Sequence, residues 1–202
     1  MSYEITITST LSRHQQREVA EIYYDSFNIK FSKLWLFTKN KGLAIDVLSQ
    51  SIDFRTGLYA IKDKEVIGFI GLETVGSVYT KLRFSLLTKV FGFFGGLWRY
   101  AGYVIYCAFR GRIRDDEMHI DPIAVSEKAR GLGVGTKLLD ASLVLAKSLG
   151  KKKMTLEVVD TNPEAKKLYE RKGFVVTKIE KTGYLTSLAG FTKVVHMRKV
   201  IE

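Results

Sequence analysis

Three glycines at alternate positions, in Arg130-Gly131-Leu132-Gly133-Val134-Gly135-Thr136, separate a strand pattern at 118–125 from a helical pattern at 133–149. That junction constrains the fold more than any other feature of the chain. Glycines let the backbone adopt turns other residues resist and approach a ligand closely. A helix opening near Gly133 leaves its first amide hydrogens without internal partners, at the positive end of its dipole. Such a site suits a pyrophosphate, and the competing reading is a plain turn joining strand to helix. Two phosphate motifs are excluded by order and spacing. A Walker loop ends Gly-Lys-Ser/Thr, whereas Gly135 is followed by Thr136-Lys137; a dinucleotide fingerprint spaces its glycines differently and follows an early strand.

The remaining pattern predicts an α/β chain. Alternation around Ile5 and Ile7 predicts a first strand over 4–9, and Ser12 can cap a helix running to about residue 28, with Val19, Ile22, Tyr23 and Phe27 at helical spacing. A second helical stretch covers Gly42 to Phe54. The runs 58–61 and 66–70 flank the polar turn Lys62-Asp63-Lys64-Glu65 and predict a hairpin. A strand over 154–159, a helix over 163–172, and two last strands, Phe174 to Ile179 and Lys193 to Arg198, complete the reading. No repeat or linker interrupts it, so residues 1–202 are expected to form a single domain around a mixed sheet.

Charge and cysteine usage narrow the setting. At 202 residues one core can be well buried. A net charge of +11 implies an acidic partner, and nucleic acid, an anionic membrane or a polyphosphate would each satisfy it. The lone Cys107 excludes an internal disulfide and a cysteine-rich zinc site, and no other metal site is visible. A reducing, cytoplasmic location is the default, and the start Met1 to Thr6 reads as mature protein, without a secretory signal.

Residues 75–115 form a long connection rich in aromatics and purely basic, with seven cations from Lys81 to Arg114 and no acid before Asp115. A connection of that length is usually functional or structured in itself. Three readings stand: a pair of helices packing its aromatics on the domain, an acceptor-side lid, or peripheral membrane contact through 84–109. A true span is disfavoured by Lys89, Arg99 and several glycines.

Arg130, Gly133 and Gly135, together with the run Asn162-Pro163-Glu164-Ala165-Lys166-Lys167-Leu168-Tyr169-Glu170-Arg171-Lys172-Gly173-Phe174, resemble the two signatures of the GCN5-related N-acetyltransferases (GNAT) at their usual separation. The resemblance covers 116–174 firmly and the segment 75–115 not at all. It implies an acyl-CoA N-acyltransferase fold: a mixed, mostly antiparallel sheet with a splayed central strand pair, flanked by helices. It implies acetyl-CoA as donor and a small-molecule or peptide amine as acceptor. Pro122, which offers no ladder hydrogen bond, fits the bulged strand of that family. On the same grounds the strand segment Ile123, Ala124 and Val125 should hold the pantetheine arm. Arg130 and the amides of Gly131, Leu132, Gly133, Val134, Gly135 and Thr136 should hold the pyrophosphate, and Asn162 should contact the cofactor while it caps the helix beginning at Pro163.

Amine acylation needs a neutral amine and a proton for the departing thiolate. Tyr169 matches the family tyrosine that can supply that proton, against the alternative of a core tyrosine beside Leu168. Glu117, His119 and Asp121 share one strand face by alternation and form the shortlist for the base. Histidine has an unperturbed pKa of roughly 6.5, suited to the task; a structural histidine or a water chain are the alternatives. Cys107 lies outside both motifs, so direct attack by the amine is expected rather than a covalent enzyme intermediate. The rival function is an acyl-CoA-binding regulatory module without turnover. Nucleic-acid binding is disfavoured, since no helix-turn-helix, RRM or KH signature is present. A homodimer is left open.

Overall fold

The computed structural model describes residues 4–201. Helix α1 (Arg13–Lys30) starts where Ser12 allows it: the Ser12 hydroxyl accepts the Gln15 amide at 3.3 Å, and Gln15 Oε1 accepts the Ser12 amide at 2.9 Å. Such reciprocal capping contributes about 1 kcal/mol. A π-helical turn, Phe31–Trp35, extends this helix beyond its expected end. Asn40 caps α2 (Lys41–Ser51) through the Leu43 amide at 3.1 Å.

Strand β1 (Thr6–Thr8) pairs with β2 (Gly57–Lys62), and β2 forms the expected hairpin with β3 (Glu65–Glu73). The turn residues Asp63 and Lys64 have φ of 53° and 69°, the left-handed pair that matches the twist of a tight hairpin. The chain then runs through α3 (Phe84–Phe109), β4 (Glu117–Val125), α4 (Val134–Ser148), β5 (Lys153–Val159) and α5 (Pro163–Arg171). It closes with β6 (Val175–Lys181), the short α6 (Tyr184–Leu188) that the sequence pattern does not announce, and β7 (Lys193–Val200).

The seven strands form one sheet in the order β1-β2-β3-β4-β5-β7-β6. Only β4 and β5 are parallel. This is the mixed, mostly antiparallel sheet expected from the resemblance. One apolar layer sets Val19, Tyr23, Leu48 and Phe69 between the sheet and α1–α2. The other sets Ile70, Leu138, Leu156 and Met197 between the sheet and α4–α5. Each fully buried side chain of this size contributes about 1.5–3 kcal/mol.

Within α3 the backbone turns sharply at Gly92, whose φ is +74°. The two halves fold back on one another, bringing the rings of Phe84 and Tyr100 to 5.6 Å. Gly96 is the point of closest approach: a Cβ there would lie 2.4 Å from the Thr88 nitrogen. The segment therefore holds two helical arms, and its aromatics divide. Tyr79, Phe91, Tyr100 and Tyr103 pack on the α1–α2 layer, whereas Phe93 and Phe94 are 61% and 80% exposed.

Candidate functional site

Strand β4 is bulged at its middle. Leu72 pairs with Ile120 and Ile70 with Ile123, so Gly71 alone faces Asp121 and Pro122. A Cβ on Gly71 would lie 2.6 Å from the Asp121 carbonyl oxygen, so only glycine fits opposite the bulge. Pro122 leaves no amide unpaired there, which is why the bulge tolerates it. The extra residue also reverses the faces: Met118 and Ile120 lie in the α4 layer, while Ala124 lies in the α1 layer.

Beyond the bulge the two parallel strands part. Their pairing runs from Glu117–Lys153 to Ile120–Leu156 and stops. Strand β5 continues on β7 as far as Val159–Val194, and β4 continues on β3 as far as Val125–Gly68. The β5-facing edge of Ile123, Ala124 and Val125 is thus without a strand partner, leaving backbone groups that need hydrogen bonds.

Helix α4 begins at this opening. Gly131 and Gly133 have φ of +80° and +75°, and a Cβ on either would meet nothing within 4 Å. Lys137 N–H to Gly133 O, at 3.0 Å, is the first helical bond, so the amides of Val134, Gly135 and Thr136 have no acceptor within the helix. Val134 is buried against Gly68, where a Cβ would come within 2.9 Å of its Cγ1; this seats the helix start on the end of β3–β4. Gly135 lets α5 approach, a Cβ there lying 3.1 Å from Leu168. Arg130 and Leu132 are exposed around the glycine turn. Left-handed glycines, free amides and an unpaired strand edge form a cradle that fits a diphosphate carrying an amide-containing arm. Asn162 is engaged as the cap of α5, its Oδ1 accepting the Ala165 amide at 3.2 Å.

His119 stands on the paired part of β4, directly opposite Thr155 of β5. Thr155 Oγ1 lies 2.5 Å from Glu117 Oε1 and 2.9 Å from His119 Nδ1. A hydroxyl has one proton, and the carboxylate can only accept, so Thr155 donates to Glu117 and accepts from His119 Nδ1–H. The tautomer that follows leaves the Nε2 lone pair free. Burial holds the His119 pKa below its ordinary value; Asp121, Glu157 and Glu117 pull it up, and Arg110 pushes it down.

The same face of the sheet carries groups that spacing alone does not reveal. Glu73, the β3 partner of His119, is 1% exposed. Its Oε1 accepts the Tyr79 amide at 3.0 Å, and its Oε2 pairs with the Arg110 guanidinium. Arg110, just past α3, also reaches Asp121 Oδ2 at 3.1 Å. Burial, with Asp121 nearby, raises the Glu73 pKa against the pull of Arg110. The register of β3, β4 and β5 thus sets Glu73 and Thr155, and the end of α3 sets Arg110, beside the shortlisted Glu117, His119 and Asp121.

Tyr169 is buried in the α4–α5 layer, edge to face with Phe174 at 6.1 Å. Among the described residues nothing hydrogen-bonds its hydroxyl, and burial raises its pKa well above the ordinary phenol value. Cys107 is exposed on α3, and among the described residues no cluster of metal-ligating side chains is found.

The sequence model described as the acetyltransferase (GNAT) family matches residues 17–174. A curated relative, the 5-NmdU N-acetyltransferase of Pseudomonas phage PaMx11, is 35% identical over 71 residues, 35% of this chain. The chain spans about half of that relative's length, 48%. Among solved structures, one described as an acetyltransferase superposes with a TM-score of 0.63 at 20% identity, over 98% of this chain and 100% of its own. The yncA protein of Salmonella typhimurium, solved with its cofactor acetyl-CoA, gives 0.61 at 13% identity, over 98% and 95%. At those identities the likeness is one of fold.

Proposed function

This chain belongs to the acetyltransferase (GNAT) family, and we propose that it acts as one domain, moving an acetyl group from acetyl-CoA to a small-molecule or peptide amine by direct attack. The thioester supplies an activated acyl carbon; the chain holds it and moves two protons. The free amides of Val134, Gly135 and Thr136 hold the diphosphate, and the unpaired edge at Ile123–Val125 holds the amides of the arm. His119 Nε2 takes the proton that leaves the amine nitrogen as the new C–N bond forms. The Tyr169 hydroxyl, kept protonated by its raised pKa, gives its proton to sulfur as the C–S bond breaks. Glu73 and Asp121 favour a cationic acceptor, and the name of the phage relative, an N-acetyltransferase, agrees with a nitrogen acceptor.

The observation that carries this reading is the end of the β4–β5 ladder at Ile120–Leu156, beside the free amides that open α4. It is tested by calorimetry with coenzyme A and by thiol release from acetyl-CoA across a panel of amines. Binding with turnover is expected. Binding without turnover on any amine would favour the regulatory acyl-CoA module, and absence of binding overturns both.

A further inference from the structure

The 93–109 arm of α3 is apolar on both sides, although only one side meets the protein. Tyr100 and Tyr103 pack inward on the α1–α2 layer. Outward, Phe93, Phe94, Leu97, Trp98, Val104 and Ile105 are all exposed at helical spacing. Phe37 is also exposed and packs its ring on Trp98 at 4.9 Å. The arm's one formal charge, Arg99, is consumed internally. It donates to Leu36 O at 2.6 Å, to Gly95 O at 2.9 Å and to Phe37 O at 3.3 Å, and it lies over the Phe91 and Trp98 rings. A helix apolar all round belongs inside a protein or against lipid, and a contiguous exposed apolar face marks a contact surface.

We propose that this face docks on an anionic phospholipid bilayer. Charge decides between the occupants. Residues 75–114 carry seven cations and no acid. Among the described residues, Lys81, Arg83, Lys89 and Arg112 form no salt bridge, and all four are exposed. A second copy across a two-fold axis would set this basic segment against itself, a like-charge arrangement that suppresses association. An anionic surface satisfies both features, taking aromatics at the acyl boundary and cations among the headgroups. The arm lies in the interface: among the described residues no helix is long and apolar enough to cross a membrane.

The test is flotation of the full chain with phosphatidylcholine vesicles, with and without phosphatidylglycerol, at low and high salt. Binding to the anionic vesicles alone is expected, weakened by salt and accompanied by a blue shift of Trp98 emission. The F93S/F94S double variant should partition about tenfold or more weaker. Lys89→Glu, an exposed change that leaves the apolar arm intact, should also bind more weakly. Failure to bind anionic vesicles, or equal binding by the wild type and both variants, overturns the proposal. So does a stable dimer in ultracentrifugation that F93S/F94S dissociates.

Discussion

Thr155 accepts the Nδ1–H of His119 across 2.9 Å, one residue pair before β4 and β5 separate. The hydroxyl that orients this histidine is therefore fixed by the last rungs of the ladder. Thr155→Val should lower kcat/KM by about tenfold or more, since one hydrogen bond to a developing cation is lost. Thr155→Ser should restore it, and calorimetry should find coenzyme A affinity unchanged in both. Unaltered turnover in Thr155→Val would remove His119 as the base.

The acid limb of the kcat/KM profile should lie below the ordinary imidazole value of about 6.5, because burial disfavours the protonated ring. Asp121 draws that pKa upward. Asp121→Asn should therefore move the limb to still lower pH, and should raise KM for a cationic acceptor. An upward shift would contradict the assigned electrostatics.

Gly133→Ala places a side chain at φ +75°, which costs roughly 1–2 kcal/mol. Relief of that strain turns the amides that open α4. Coenzyme A should bind about tenfold more weakly by calorimetry. Gly150→Ala, at φ +67° beyond the far end of the same helix, carries a similar strain and should leave affinity intact.

Tyr169→Phe removes a hydroxyl that, among the described residues, has no hydrogen-bond partner. The melting temperature should barely move, while turnover falls by about a hundredfold or more, the usual scale for a lost general acid. Equal turnover would return Tyr169 to the core.

Gly96→Leu should open the α3 hairpin, because its side chain has to occupy the space held by the backbone of Leu87 and Thr88. Near-ultraviolet circular dichroism of the packed aromatics and increased proteolysis near Gly92 would report it.

What could be read from the sequence follows the range of the interactions involved. The Ser12 cap, the 62–65 turn and the glycine turn are set by neighbours in the chain, and they appear where the pattern puts them. The segment proposed to hold the donor is local in the same way, since β4, the turn and the start of α4 are contiguous. Glu73, Arg110 and Thr155 are not. Arg110 meets Glu73 across 37 residues, and Thr155 meets His119 across 36; the first depends on the path of α3 and the second on the register of β4 against β5. Within 75–115 the expected pair of helices is present, but its hinge at Gly92 is not legible, since a glycine letter does not disclose the sign of its φ. Asn162 illustrates a residue with two readings, and its observed bond is the helix cap.

Arg110 ties the far end of the α3 hairpin to Glu73 and Asp121. In the proposed reaction the two ends are thus encoded in different materials. The proposed donor end rests chiefly on main-chain amides, which survive most substitutions, whereas the proposed acceptor end rests on side chains gathered from four separate segments. On the proposed reading, replacing or reshaping the hairpin would retune the acceptor and leave the thioester grip untouched, which makes substrate identity the more evolvable half of the molecule.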